Sequence, residues 1–411
     1  MPQFLELIPA RDAIKIFLGN LPQSEPDVEL VDTENSLDRV LVSPVYSPEA
    51  LPAFPRSTVD GYAVIAADSY GASDTLPTYL EVIGEVPMGG SPDFTISTGK
   101  TAVIHTGGML PDGADAIVMI EHTQTSRLGE VEIHKAVAIG ENTIEIGEDV
   151  GIGDEVLQAG IKLRPAEIGG LLALGFMKIE VARRPRVGII SSGDEVISPA
   201  EKPQPGQVRD INSHSLSALV QKYGGVPVKY GIITDQVEAL YEILKKAYDE
   251  CDLVVVTAGS SASERDLTSK VIMRLGSPGV LVHGVNVRPG KPTILAVCNG
   301  KPVIGLPGNP VSALVISSLF IAPVIDHLLG HSRKRPQAFV RAELSVNVSS
   351  VSGREDYIPV RLRRSETGFL ADPIFFKSNL IFTLVQSDGL MYIPADAVGL
   401  SAGENLDIIL I

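Results

Sequence analysis

Residues 186–191 have the sequence RVGIIS, a short apolar run that predicts a buried β-strand. Outward from this stretch the chain alternates strands with helices as far as residue 330. The further strands we predict are Val226–Thr234, Asp252–Thr257 (DLVVVT) and Pro302–Leu306, and the helices are Asn212–Tyr223, Gln236–Tyr248, Leu267–Leu275 and Pro310–Leu329. Such alternation predicts an α/β domain with a doubly wound, mostly parallel sheet, whose ligands bind at the carboxyl ends of the strands.

The segments on either side have a different pattern of apolar and polar residues. Short apolar runs separated by Gly, Pro, Asp and Ser predict a β-rich region over residues 46–149, with strands at Tyr62–Ile65, Leu80–Ile83, Thr101–Ile104, Ala116–Ile120 and Val131–Ile133. Helices are expected at 9–18, at 165–175, and through Leu37, Val40 and Leu41 with Asn35 or Ser36 as the cap. After the basic linker 331–336, short strands predict a small β domain.

Composition narrows the class of protein. The 411 residues suggest two to four domains, and 34 Lys plus Arg against 50 Asp plus Glu give a net charge of −16. We find no apolar run close to the roughly 18 residues of a membrane span and no signal-peptide pattern. Two cysteines, Cys251 and Cys298, are too few for a disulfide scaffold. We therefore expect a soluble cytoplasmic protein that does not bind membranes.

The charge is unevenly distributed along the chain. Residues 1–182 carry 10 basic and 28 acidic side chains, residues 183–330 carry 15 and 13, and residues 331–411 carry 9 and 9. An acidic first half argues against a nucleic-acid-binding protein, because phosphate backbones are held by clustered Lys and Arg. The near-neutral middle segment is the better host for an anionic ligand.

Four polar loops follow the four predicted strands and would therefore meet at one edge of the sheet. They are Ser191–Glu195, Thr234–Asp235, Ala258–Asp266 and Gly305–Ser312. Glycines allow backbone N–H groups to approach phosphate closely, and the N-terminus of a helix adds partial positive charge. Asn309 and Pro310 suit the N-cap and first turn of such a helix. Ordinary strand-to-helix turns are the alternative for each loop alone.

Charged residues at this edge indicate possible roles. Glu195, Asp235 and Asp266 lie just beyond strand ends, where Mg²⁺ could be bound together with phosphate oxygens, although helix capping would also explain Asp235. The segment Arg288–Pro292 (RPGKP) and Arg209 supply cations suited to a phosphate or an oxyanion. Either could instead be a surface charge.

Several enzyme classes lack their motifs in this chain. The seven histidines show no metal-ligand spacing, and no Ser-His-Asp arrangement or Gly-x-Ser-x-Gly elbow is present. Neither a Walker A loop nor a Gly-x-Gly-x-x-Gly loop occurs, which disfavours ordinary NTPases and NAD enzymes. In the first half, Arg56–Val64 and His105–Gly108 are typical of hairpin turns on spacing alone.

Five motifs in order identify a resemblance. They are VDGYAV at 59–64, PDGADA at 111–116, SGDE at 192–195, RPGKP at 288–292 and GLPGNPVS at 305–312. Together they resemble the molybdopterin molybdenumtransferase family, which is related to the E domain of gephyrin. The resemblance covers nearly the whole chain, and the GLPGNPVSA stretch is its most specific part.

The resemblance implies four domains and a dimer. A split elongated domain would comprise residues 1–45 and 150–182, and a β-rich domain, 46–149, would be inserted within it. The α/β domain, 183–331, would bind molybdopterin, and a C-terminal β-barrel would occupy 332–411. Family members are homodimers whose active site joins the α/β domain of one subunit to the first-half domains of the other. Partner proteins would be a molybdopterin adenylyltransferase and molybdoenzymes.

The implied reaction inserts molybdate, or tungstate, into adenylated molybdopterin and releases AMP with Mg²⁺ bound. Glu195 and Asp266 would hold the metal, and the residues implied in catalysis are Asp60, Thr106, Asp149, Glu195, Asp235 and Asp266. The substrate-binding residues would be Gly193, Asp194, Arg209, Asn212, Gly259, Ser260, Ser261, Arg288, Lys291, Pro307, Gly308, Asn309, Pro310 and Ser312. Among these, Gly259–Ser261 and Gly308–Pro310 would contact the adenylate, and Arg209, Lys291 and Ser312 would steer phosphate or molybdate.

Two stretches depart from the family pattern. The family's Gly-Gly-Val-Ser-Val-Gly-Asp-Tyr-Asp type of loop is AGSSASERD at 258–266, and its Thr-Gly-Ala-Pro pattern is TGGM at 106–109. Two alternatives to the transferase also stay open. One is a molybdopterin adenylyltransferase, since related adenylyltransferases share the α/β domain, although the long first half argues against it. The other is a non-catalytic scaffold that binds pterin or oxyanion.

Overall fold

The computed structural model describes residues 7–258, 262–336, 338–366 and 368–411. The chain forms two compact units. The first comprises Met1–Ser43, Ala159–Pro165 and Lys178–Ile411, and the second comprises Pro44–Gln158 and Ala166–Met177. Nearly all of the net charge belongs to the second unit, which has 4 basic and 19 acidic side chains against 30 and 31 in the first.

A six-stranded sheet forms the centre of the first unit. Its spatial order is Val226–Ile233, Arg186–Ser192, Leu253–Ala258, Lys301–Pro307, Ile294–Cys298 and Pro278–His283. The first four strands are parallel neighbours, as the alternating sequence predicted. In the three inner parallel strands the apolar side chains are almost all buried on both faces, which explains why these runs lack polar alternation. The edge strand Val226–Ile233 is only partly buried.

Helices cover both faces of this sheet, so it is doubly wound as predicted. One apolar core lies under the helices Ala10–Gly19, Asn212–Lys222 and Pro310–Leu328. The other lies under Val237–Glu250 and Ala262–Met273.

The helix Pro310–Leu328 corrects our statement about apolar runs. It is long and apolar enough to cross a membrane by length and composition, and 61% of that window is buried inside the structure. Burial against the sheet explains its composition, since a helix enclosed on most sides needs few polar residues.

Two strands at the edge of the sheet were not predicted. Ile294–Cys298 pairs antiparallel with both Lys301–Pro307 and Pro278–His283. A two-residue turn at Asn299–Gly300 joins the first pair, with both residues at positive φ. This hairpin interrupts the strand–helix alternation, which is why that pattern does not reveal it.

The predicted helix through Leu37, Val40 and Leu41 is wrong. A short 3-10 turn covers Thr33–Asn35, and the backbone of Leu41 donates to Ile161 O. Val40 and Leu41 form bridges to Lys162 and Val181. Backbone pairing with distant residues therefore overrides the local helical pattern. Nearby, Val28–Asp32 pairs antiparallel with Lys178–Ala182.

The C-terminal region forms the predicted β-barrel. Its five strands close because the longest, Glu355–Ser365, pairs with both Gly368–Pro373 and Gly389–Ile393. The circle is completed by Phe339–Leu344 and Asn405–Leu410. The short strand Val287–Arg288 of the α/β region extends this sheet by pairing with Glu355 and Asp356.

The second unit contains another six-stranded sheet and shorter pairs. The sheet has the order Ala116–Met119, Gly61–Val64, Lys100–Ile104, Thr78–Glu85, Glu130–Ile133 and Thr123–Arg127, so all five strands predicted in this region are confirmed. Val45–Tyr46 pairs with Glu155–Leu157, and Arg56–Ser57 pairs with Thr143–Ile144. The helix predicted at 165–175 spans Pro165–Ala173.

Candidate functional site

A cavity of about 560 Å³, which we call the polar cavity, lies at the carboxyl ends of the parallel strands. Its lining residues are Ser191, Ser192, Glu195, Val196, Pro203, Val208, Arg209, Asp210, Ile211, Asn212, Thr257, Gly308, Asn309, Pro310 and Asn379. The strand neighbours Ser191, Thr257 and Leu306 lie at matching positions in the ladder. The predicted convergence of three strand-end loops is therefore found.

A buried carboxylate organises one wall of the polar cavity. Asp210 accepts a hydrogen bond from Ser191 Oγ at 2.9 Å and one from the backbone amide of Ser213 at 3.0 Å. The same turn carries Asn212, whose Nδ2 donates to Gly308 O at 2.7 Å. Two predicted loops are thus tied together, and Asn212 Oδ1 is a buried acceptor without a hydrogen-bond partner in the described part of the chain.

The segment after the strand Arg186–Ser192 forms a tight turn beside this wall. Gly193 has φ +144°, and a Cβ there would lie 2.8 Å from Val196 Cγ2, so the turn requires glycine. Asp194 Oδ1 accepts from the backbone amide of Asp235 at 3.2 Å. Three predicted residues therefore meet here, with Glu195 reaching the cavity lining.

Arg209 also lines the polar cavity. Its Nε donates to the carbonyl oxygens of Pro199 and Glu201, at 3.1 and 3.2 Å. These contacts hold the side chain while leaving its terminal NH₂ groups for a ligand.

The third loop is only partly described. Gly259, Ser260 and Ser261, predicted to contact the adenylate, lie outside the described residues. Asp266 lies within the helix Ala262–Met273, but its side chain is not among those described. Among the described residues, no group of three or more His, Cys, Asp and Glu side chains is arranged to hold a metal ion.

The loop Gly308–Pro310 begins the long helix, but Asn309 does not cap it with its side chain. Asn309 Nδ2 donates to Ser378 Oγ at 2.9 Å, and the first free helical amide, at Val311, donates to Ser378 O at 3.1 Å. The predicted anion-binding helix N-terminus is therefore partly satisfied by a residue of the C-terminal region.

A second cavity, of about 500 Å³, adjoins this loop, and we call it the basic cavity. Four cationic side chains line it: Arg288, Lys291, Arg354 and Lys377. The remaining lining residues, all from the described part of the chain, include Pro307, Asn309, Ser312 and Ser378 and no acidic side chain. Asn309 lines both cavities, so they adjoin at that residue.

Sequence reasoning found two of the four cations of the basic cavity. Arg288, Lys291, Pro307, Asn309 and Ser312 were predicted as binding residues. Arg354, Lys377 and Ser378 were missed, because they lie more than sixty residues downstream in turns that match no motif we used. A motif in one segment does not indicate which residues of a distant segment will line the same cavity.

Backbone shape forms the floor of the basic cavity. Gly290 has φ +122°, and a Cβ there would lie 2.2 Å from Ile316 Cγ1, inside the long helix. The segment Arg288–Lys291 therefore packs closely on that helix, which carries the cations Arg288 and Lys291 to the cavity wall.

In the second unit, Asp60 and Thr106 are brought together. Asp60 Oδ1 accepts from the backbone amide of Thr106 at 2.7 Å and from its hydroxyl at 3.1 Å. These bonds, the backbone one first, and the nearby His105 lower the pKa of Asp60 from its ordinary value. His105 also contacts Glu85, at 2.9 Å.

Asp149 lies elsewhere in the second unit. It is exposed in a separate turn, where its backbone amide donates to Leu51 O at 3.0 Å. Its predicted catalytic role, like that of Asp60 and Thr106, stays a prediction.

Three family models match the chain in succession. The MoeA N-terminal region (domains I and II) matches residues 8–175, a probable molybdopterin binding domain matches residues 188–327, and the MoeA C-terminal region (domain IV) matches residues 341–411.

Whole proteins match along nearly the full length. A molybdopterin molybdenumtransferase of Nostoc sp. is 33% identical, covering 96% of this chain and 92% of that protein. One from Bacillus subtilis is 29% identical, covering 95% and 91%. The crystal structure of a molybdopterin biosynthesis MoeA protein from Pyrococcus horikoshii OT3 matches with a TM-score of 0.87 and 32% identity, covering 99% of this chain and 100% of that one.

Proposed function

The chain belongs to the molybdopterin molybdenumtransferase family and is an enzyme of molybdenum cofactor biosynthesis, and on this premise we propose that it inserts molybdate into adenylated molybdopterin with release of AMP. The observation that carries the proposal is the pair of adjoining cavities that share Asn309. One has the size and polarity for an organic ligand, and the other has the charge for an inorganic oxyanion.

The basic cavity is the proposed oxyanion site. Four cations and the hydroxyls of Ser312 and Ser378 line it, and hydrogen bonds from charged donors to anionic oxygens are about twice as strong as neutral ones. Molybdate is a small tetrahedral dianion, so it can accept from several of these donors at once.

The polar cavity is the proposed site of the pterin adenylate. Its volume of about 560 Å³ lies within the range of small-molecule sites. The buried Asn212 Oδ1 offers an acceptor for a ligand N–H, and the Arg209 guanidinium offers donors for phosphate. Buried polar groups without partners favour a ligand that completes their hydrogen bonds.

The oxygen donors of the polar cavity fit Mg²⁺. Glu195 lines it together with the hydroxyls of Ser191, Ser192 and Thr257, and magnesium prefers one or two carboxylates with water and substrate phosphate. Glu195 would hold the ion, with Asp266 as the second predicted ligand. When bound, magnesium supplies Lewis-acid polarisation of the phosphoanhydride.

The protein's own residues would act by position and charge. Asn212 and Arg209 orient the adenylate, the four cations hold the oxyanion, and Asn309 stands where the two ligands meet. No nucleophile from the protein is needed, because holding two reactants in register can itself supply much of the rate enhancement.

We further propose that the enzyme works as a homodimer in which Asp60 and Thr106 of one protomer complete the site of the other. Asp60 is exposed and its pKa is lowered, so it offers a carboxylate at neutral pH from the strongly acidic second unit. Mixing inactive Asp60→Asn and Arg354→Ala variants would then restore about one quarter of wild-type activity, since half of the dimers contain one intact site. No recovery after subunit exchange would exclude a shared site.

The experiment that tests the main proposal is AMP release from adenylated molybdopterin with Mg²⁺, in molybdate, in tungstate and without oxyanion. We expect oxyanion-dependent release together with active cofactor. The double variant Lys291→Ala/Arg354→Ala should lose this dependence, while Lys222→Ala, which removes an exposed cation from the helix Asn212–Lys222, should keep it.

Two other results would redirect the proposal. Binding of the pterin without turnover under either anion would favour a scaffold. Formation of the adenylate from ATP and molybdopterin would favour an adenylyltransferase, whereas in our proposal that enzyme is a donor partner and molybdoenzymes are acceptors. Cytoplasmic location is part of the proposal and accords with two free, buried cysteines.

A further inference from the structure

Directly beneath the basic cavity lies a carboxylate that contributes nothing to its lining. Asp356 is 0% exposed and lies on the longest strand of the C-terminal barrel, Glu355–Ser365. A buried carboxylate is costly unless charged partners and hydrogen bonds compensate it. Its partners therefore show what it does.

The first partner is Arg354, one of the four cavity cations. Its Nε donates to Asp356 Oδ1 at 2.6 Å and its Nη2 donates to Oδ2 at 2.9 Å. This two-bond contact occupies one edge of the guanidinium and leaves Nη1 and one hydrogen of Nη2 unused by Asp356. The Arg354 side chain is 27% exposed and lines the cavity, so the remaining donors are held at its wall.

The second partner is Arg288, on a different segment of the chain. Its Nη1 lies 3.8 Å from Asp356 Oδ2, and Arg288 and Asp356 are paired in register in the sheet. The backbone contact is reinforced by Glu355 N, which donates to Asn286 O at 3.0 Å. One buried carboxylate therefore lies against two of the four cavity cations.

Ser350 completes the surroundings of this carboxylate. Its Oγ donates to Asp356 Oδ2 at 3.1 Å, which is a neutral hydrogen bond. An exposed pair in the same barrel provides a contrast: Arg363 and Asp372 also form a two-bond contact, but neither lines the cavity. The two pairs share their chemistry and differ in burial and in their relation to the cavity.

We propose that Asp356 is a positioning residue for oxyanion binding, which holds Arg354 and Arg288 so that their free donors point to one place in the basic cavity. The inference rests on the proposed function, which assigns molybdate to that cavity. A guanidinium fixed in advance loses less conformational freedom when it binds an anion, so affinity rises although Asp356 removes one unit of positive charge.

The test is molybdate binding to the full-length protein by titration calorimetry, followed by KM for molybdate and kcat in the AMP-release assay. Asp356→Asn should weaken molybdate binding about tenfold and raise KM with little change in kcat, because the guanidinium loses its fixed orientation. Asp372→Asn breaks the exposed pair and should leave both values unchanged.

A second variant keeps the test decisive if Asp356→Asn fails to fold. Arg354→Lys retains the positive charge but cannot form the two-bond contact, so it should also weaken binding about tenfold. Wild-type-like binding by Arg354→Lys, or tighter binding by Asp356→Asn, would overturn the positioning role, because charge alone would then govern affinity. If the wild-type protein itself does not bind molybdate, the oxyanion site of the proposed function is wrong, and this inference is wrong as well.

Discussion

The polar and the basic cavity adjoin at Asn309, yet they are built in different ways. The polar cavity collects the loops that follow neighbouring strands of one sheet, and its side chains are mainly hydroxyls, amides and carboxylates. The basic cavity combines the segment Arg288–Lys291 with turns of the C-terminal barrel and has four cations. The order of the strands in the sheet creates the polar cavity, whereas packing between two regions of the first unit creates the basic cavity.

This difference has a chemical consequence. An organic ligand with many hydrogen-bonding groups needs a varied set of donors and acceptors, whereas a tetrahedral oxyanion needs only convergent positive donors. Both lining carboxylates, Glu195 and Asp210, belong to the polar cavity, and four of the five lining cations belong to the basic cavity. In our proposal this division lets each substrate be recognised separately before the two react near Asn309.

The largest effect should come from the backbone of the basic cavity. Gly290→Ala would place a Cβ into Ile316 at a positive φ, and we expect a loss of about 3 kcal/mol in the free energy of unfolding. Gly206→Ala is the matched control, because Gly206 has φ +90° and nothing within 4 Å of a Cβ, so only about 1 kcal/mol should be lost. If chemical denaturation gives the same loss of unfolding free energy for both variants, the Ile316 side chain moves aside and the floor of the basic cavity is not rigid.

The next effect should distinguish the two cavities by the ligand that each one binds. Lys291→Gln removes a cation while keeping a polar side chain only one atom shorter, and should raise KM for molybdate about tenfold because a charged donor is lost. Pterin binding by the same variant should stay within twofold of the wild type. A comparable loss for both ligands would mean that the cavities are not separate sites.

The converse variant lies in the polar cavity. Asn212→Ala removes the bond to Gly308 O and the unpartnered acceptor, and should weaken pterin binding about fivefold while leaving molybdate binding unchanged. Asn309→Ala, at the shared wall, should affect both ligands. An Asn212 variant that changes only molybdate binding would reverse our assignment of the cavities.

The smallest effect concerns the second unit, which lacks the basic cavity. Thr106→Val removes one of the hydrogen bonds that lower the pKa of Asp60, so that pKa should rise part of the way to 3.8. The lowered pKa of Asp60 stabilises the folded state at pH values above the pKa that this carboxyl has in the unfolded chain. That stabilisation is lost as the pH falls through the pKa of the folded state. Carboxyl NMR titration measures the change, and Thr106→Ser, which keeps the hydroxyl, should show none.

Sequence reasoning succeeded where the information is local. RVGIIS and DLVVVT predicted buried parallel strands, and Gly193 and Gly308 marked turns that the structure places beside the polar cavity. It failed at Leu37–Leu41, where bridges to Lys162 and Val181 replace the predicted helix. It also missed the edge strands Pro278–His283 and Ile294–Cys298, because antiparallel pairs break the alternation on which the prediction depended.

The sequence by itself determined the α/β centre, the β-rich regions and the strand-end loops, because hydrophobic periodicity and turn residues act over a few positions. Only the tertiary structure decided that Arg354, Lys377 and Ser378 join Arg288 and Lys291 around one cavity, and that Asp356 lies buried beneath two of these cations. Such gathering depends on how the barrel packs against the α/β region, and no spacing along the chain encodes it.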